Sequence, residues 1–75
     1  MDLLVLFEKL NDFSCQIITD VIFYKNQFAG KMMKYIIYGF IDEDRISATY
    51  QLPDGKIDLQ GVVLEYRKYS NNKLN

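Results

Sequence analysis

Seven consecutive residues, Tyr35-Ile36-Ile37-Tyr38-Gly39-Phe40-Ile41, are apolar or aromatic on both alternating sets, and no other stretch constrains the fold as much. Extended, such a run presents apolar side chains on both faces, so it needs a cover on each or leaves one open. The flanks support the extended state. Asp42-Glu43-Asp44 supplies a polar turn, after which Ile46, Ala48, Tyr50 and Leu52 alternate with Arg45, Ser47, Thr49 and Gln51 as a half-buried strand. Pro53-Asp54-Gly55 is the clearest turn signal and brings the next strand back antiparallel. That strand starts with Ile57 and Leu59 on one phase and continues with Val62, Leu64 and Tyr66 on the other; a bulge at Gln60-Gly61 keeps both sets inward.

Upstream, the periodicity changes. Leu3, Leu6, Phe7, Leu10 and Phe13 recur at three- and four-residue spacings, with Asp2 placed to cap a first turn and Asn11-Asp12 to end it, which predicts a helix over residues 2–12. Cys15 to Tyr24 is β-branched and aromatic and reads as a strand, although Ile17, Ile18, Val21, Tyr24 and Phe28 prolong the helical stripe toward Gly30. Lys25-Asn26-Gln27 is a polar break, and Ala29-Gly30-Lys31 reads as a second turn or as the end of the longer helix. The expected fold is therefore α+β: an N-terminal helix packed on a three- or four-stranded antiparallel meander, with a small β-barrel carrying one helix as the alternative. One domain over residues 1–69 and a polar tail over 70–75 complete the organisation.

Charge and composition narrow the function. The net charge is −1, with four basic and four acidic residues up to Tyr38 and five and six beyond it. The chain has neither the basic face of a nucleic-acid binder nor the acidic excess of a DNA mimic. It contains no His, which removes the commonest proton carrier at neutral pH, and the single Cys15 follows Ser14 without a motif around it. No enzyme chemistry, cofactor or metal is assigned. Asp42, Glu43 and Asp44 lack the ligand spacing of a calcium loop and are better read as turn residues. Cys15, in an apolar stretch and without a partner, reads as a buried thiol in a reducing, cytoplasmic setting. No apolar run is long enough to span a membrane as a helix. Abundant Lys, Asn, Ile and Tyr beside two Arg suit an AT-rich bacterial or phage genome.

What remains is the two-faced strand. One helix covers one face of it, and the other face then forms an association surface of the kind where Tyr and Phe serve as anchors. Ile36, Tyr38 and Phe40 make up the face expected to bind a partner; Tyr35, Ile37 and Ile41 lie on the other, where Gly39 leaves room for a helix. The opposing expectation is that the strand is central and a curled meander closes over both faces internally, as in a small barrel. The chain is thus expected to be a small non-catalytic interaction or regulatory protein that binds another protein or itself, a homodimer included. The alternative is a sheet that stacks single-stranded nucleic acid on Tyr35, Tyr38, Phe40, Tyr50 and Tyr66.

Overall fold

The computed structural model describes residues 1–9 and 12–68, and all its regular structure is β. Six antiparallel strands follow one another in chain order: β1 (Asp2–Lys9), β2 (Asp12–Tyr24), β3 (Gln27–Met32), β4 (Tyr35–Asp42), β5 (Arg45–Leu52) and β6 (Gly55–Arg67). Each pairs with the next, and β6 pairs with β1 to close a barrel. The predicted helix over residues 2–12 is therefore wrong, and the α+β class with it; the barrel alternative holds, without its helix. The polar tail over 70–75 lies outside the described residues. No helix is present among the described residues, so none crosses a membrane.

The N-terminal error has a physical cause. Leu3, Val5 and Phe7 point into the barrel and are almost wholly buried, whereas Leu4 and Leu6 point outward and are only half-buried. Because both alternating sets are apolar, three- and four-residue spacings arise by coincidence. In β2 the misleading stripe comes from a β-bulge. The β2–β3 register shifts between Thr19 and Ile22, and Asp20 adopts φ 53°, so the inward phase jumps from Ile18 to Val21, a helical spacing produced by an extended chain. Asp is among the few residues that enter this left-handed region readily. The displaced Val21 amide donates to the Met1 carbonyl at 2.9 Å.

Downstream, β4 and β5 alternate as expected. Ile37 and Ile41 from β4 meet Ile46 and Ala48 from β5 inside the barrel. In β6 the phase does not change at Gln60-Gly61: the β5–β6 register runs unbroken from Arg45↔Val62 to Leu52↔Gly55. Ile57, Leu59, Gly61 and Val63 face inward and Leu64 faces outward, while Tyr66, beyond the register shift, lies opposite the inward Leu3 and is partly exposed. The irregularity sits later, where β6 carries one extra residue opposite Leu4/Val5 of β1. Ala29-Gly30-Lys31 is not a turn but the middle of β3.

Gly39 and Gly61 set how tightly the wall can bend. A Cβ on Gly39 would fall 2.0 Å from the Ser47 carbonyl oxygen and 2.7 Å from Ala48 Cα; on Gly61 it would fall 2.4 Å from the Leu6 carbonyl oxygen. These obstacles are backbone and cannot rotate away. The space at Gly39 thus admits the β5 backbone, where a helix was expected. Gly39→Ala should lower stability by about 1–3 kcal/mol, the range for overpacking, and Ile37→Ala by about 2–5 kcal/mol through a cavity. Urea unfolding monitored by circular dichroism checks both, and an unchanged midpoint for Gly39→Ala would contradict the close approach.

At one end of the barrel the β4–β5 turn is tied to β6. The Tyr66 hydroxyl donates to the Glu43 carbonyl at 3.0 Å, and the Val63 amide donates to the Asp44 carbonyl at 2.7 Å. Partial burial raises the Tyr66 pKa above its ordinary value, and the Asp44 charge adds to the shift. The folded state therefore holds the phenolic proton more tightly than the unfolded chain. That stabilisation is complete below the ordinary tyrosine pKa and is lost as pH rises through the folded-state value. Above about pH 10, wild-type stability should fall more steeply than that of Tyr66→Phe, as read from melting temperatures along a pH series.

Candidate functional site: an aromatic face on the outer wall

Closing the barrel covers one face of β4 and leaves the other outside. Ile36, Tyr38 and Phe40 alternate along its outer side and are 54%, 59% and 49% exposed, whereas Tyr35, Ile37 and Ile41 point inward. The opposing expectation of a meander curled into a small barrel holds for the closure but not for the cover over both faces: a barrel has one interior, and it is already filled by side chains from all six strands.

The register assembles neighbours around the three. Ile22 of β2 lies opposite Ala29, Ala29 opposite Tyr38, and Tyr38 opposite Thr49. One step along, Tyr24, Gln27, Phe40 and Ser47 form a second row. Large side chains from β2 and β4 are thus separated by small or polar ones from β3 and β5, which gives a ridge with a hollow on each side. The hollow between β2 and Tyr38 has a volume of about 260 Å³ and is lined by Ile22, Phe23, Tyr24, Gln27, Phe28, Ala29 and Tyr38. The one on the β5 side, about 420 Å³, lies between Tyr38, Phe40, Ser47, Thr49 and Gln60, with Asp58 on its rim. There the Ser47 hydroxyl donates to Gln60 Oε1 at 3.0 Å.

Ile22 and Tyr24 were not read as site residues in the sequence. They reach the outer wall only because the bulge at Asp20 reverses the phase of β2, and no residue-level signal announces a bulge built on Asp. Tyr50 and Tyr66, grouped with the strand aromatics, do not join this face. Tyr50 packs inward with its ring 4.9 Å from that of Tyr35, and Tyr66 lies on β6. Phe13, Ile17 and Leu64 are exposed on other parts of the wall.

The remaining sequence candidates resolve simply. Glu43 and Asp44 form the β4–β5 turn, Asp44 makes an exposed ion pair with Arg45 at 3.9 Å, and no group of three potential metal ligands occurs among the described residues. Cys15 is exposed on the outer side of β2, which corrects the expectation of a buried thiol. Among the described residues no polar or charged side chain is buried.

No protein-family model matches this chain, and neither a curated protein nor a solved structure is significantly similar to it.

Because Tyr38 and Phe40 contribute little to the interior, Tyr38→Ser and Phe40→Ser should each shift stability by no more than about 0.5–1 kcal/mol while reducing the fluorescence of a bound apolar dye such as bis-ANS. A loss comparable to that of Ile37→Ala would place these rings in the core.

Proposed function

We propose that this chain is a small non-catalytic interaction protein whose barrel is a scaffold for the aromatic face of β4, and that the face binds another protein. The single observation carrying this reading is the exposure of Ile36, Tyr38 and Phe40 side by side, bordered by Ile22 and Tyr24, in a chain whose core is complete without them. Leaving apolar rings in water stabilises nothing in the folded chain, and contiguous exposed apolar patches mark association surfaces. Tyr and Phe suit that role, since they bring large contact area at low entropic cost. The hollows flanking Tyr38 favour a partner segment that offers an apolar side chain to each side of the ring, with a polar group able to reach Ser47, Gln60 or Asp58. Acid–base catalysis at neutral pH relies on groups tuned by burial, and no buried titratable side chain is present among the described residues to be tuned. The exposed single cysteine accords with a reducing, cytoplasmic setting.

The test is capture from a lysate with immobilised wild type, Tyr38→Lys and, as a control on another part of the wall, Leu64→Lys. The expected result is a protein retained by wild type and Leu64→Lys and lost with Tyr38→Lys, with identical circular dichroism for all three. Retention of the same protein by Tyr38→Lys would exclude the β4 face.

A second reading rests on one further observation. Lys34 and Lys56 flank Tyr35, Tyr38 and Tyr50 around a hollow of about 470 Å³, with the Lys34 ammonium 5.7 Å from the centre of the Tyr35 ring. Cations beside stacking rings are what single-stranded nucleic acid requires. This reading predicts salt-sensitive binding of a labelled oligonucleotide that Lys34→Glu removes; no polarisation change at low salt sinks it.

A further inference from the structure

The barrel is closed, yet among the described residues two half-strands at one end have a neighbour on one side only. The first half of β2 pairs with β1, from Asp12 to Ile18, while β3 engages β2 only from Thr19 onward. The first half of β6 pairs with β5 from Gly55, while β1 engages β6 only from Gln60. Amide orientation along each edge follows from strand alternation. Thr19 and Ile22 direct their amides to β3 on either side of the bulge, so Ile17, Cys15 and Phe13 direct theirs the same way, into space that β3 does not reach. In β6, Gly55 faces Leu52 across the turn, which leaves the amides of Lys56 and Asp58 turned away from β5.

The two open edges differ in what guards them. The β6 edge carries Lys56 and Asp58, charged and exposed, as expected of an edge protected against pairing. The β2 edge carries Phe13, Cys15 and Ile17, all exposed on the outer side, with no charged residue between Asp12 and Asp20. Unpaired amides beside apolar side chains are the recognition elements of another strand edge.

We propose that the β2 edge is a homodimer interface, in which residues 12–18 of two copies pair antiparallel about a two-fold axis at Cys15. The occupant follows from self-complementarity. In that register Cys15 meets Cys15 of the second copy, Phe13 meets Ile17 and Asp12 meets Ile18, so aromatic lies against β-branched and no like charges are opposed. The amides of Phe13, Cys15 and Ile17 then gain hydrogen-bond partners. The surface is separate from the β4 face, so this inference goes beyond the proposed function, and either can fail alone.

The experiment is light scattering of the full chain across a concentration series, together with cross-linking. Wild type should give twice the chain mass. Cys15→Pro removes an amide that points to the free edge and not to β1, so it should give the single mass with unchanged circular dichroism. A Phe13→Lys/Ile17→Lys double variant sets Lys against Lys in the dimer and should do the same, which keeps the test decisive if the proline variant misfolds. Facing cysteines in a hydrogen-bonded antiparallel pair have Cα atoms about 5.5 Å apart, within disulfide reach. Copper(II)–phenanthroline, taking up two electrons as two thiols release two protons, should therefore link wild type into a covalent dimer but not the Cys15→Ser/Tyr38→Cys variant. A wild-type chain that stays at single mass throughout overturns the proposal. So does a dimer that persists in the double-lysine variant, and if that dimer cross-links through Tyr38→Cys, self-association belongs to the β4 face.

Discussion

The ladder between β1 and β6 joins Asp2↔Arg67, Leu3↔Tyr66 and onward to Glu8↔Gln60, the two ends of the described chain. Without it the other five hairpin contacts would form an open, curved meander with a bare edge on each side. With it, side chains from all six strands share one interior, and Leu3, Val5 and Phe7 become the inner face of a wall instead of the exposed face of an end strand. This is how a chain of 75 residues without a disulfide obtains a core. It is also the contact of greatest sequence separation, so its chain-entropy cost falls before its burial is gained. Local hairpins must hold long enough for the ends to meet. Two-residue turns supply that, at Lys25-Asn26, Met33-Lys34, Glu43-Asp44 and Pro53-Asp54.

Those turns explain much of what the sequence made legible. Pro53-Asp54-Gly55 and Asp42-Glu43-Asp44 carry recognisable turn chemistry, and β4, β5 and the start of β6 could be read around them. Met33-Lys34 carries none: Met33 takes φ 58° without being Gly, Asn or Asp, so the β3–β4 hairpin was hidden and β3 was mistaken for a turn. Lys25 and Glu43 hold similar backbone angles, φ 59° and 60°. The strain at these first turn positions is offset by the twist match that short hairpins require. The helix error came from elsewhere. Leu4 and Leu6 on the outside of β1, and the phase jump from Ile18 to Val21 in β2, both imitate a 3.6-residue period. Tertiary closure makes an apolar outer position tolerable in β1, and nothing local announces it.

The outward set Ile36, Tyr38 and Phe40 could be picked from the sequence because Gly39 lies on the opposite phase, and a side-chain-free position has to face whatever comes nearest. The inference was right about phase and wrong about the neighbour, since β5 backbone fills the space assigned to a helix. Its consequence for the face is the same: the strand has one covered side and one bare side. What could not be read was the extent of the bare side, because Ile22 and Tyr24 arrive through the bulge.

That bulge also separates two kinds of surface on one strand. Before Thr19, β2 offers an open edge beside Phe13, Cys15 and Ile17; beyond Asp20 it is paired on its β3 side and contributes only the side chains of Ile22 and Tyr24 to a face. An edge recognises backbone and is indifferent to most side-chain detail, whereas a face recognises shape. The Asp20–Lys31 ion pair at 3.8 Å bridges β2 and β3 at the junction, too exposed to stabilise the fold appreciably. The φ of 53° at Asp20 matters more, since a β-branched residue there would resist the turn in the chain and tend to run the inward phase straight on. Ile22 and Tyr24 would then be drawn inward and Val21 outward. The division of β2 into an edge and a face therefore rests on the backbone tolerance of one aspartate.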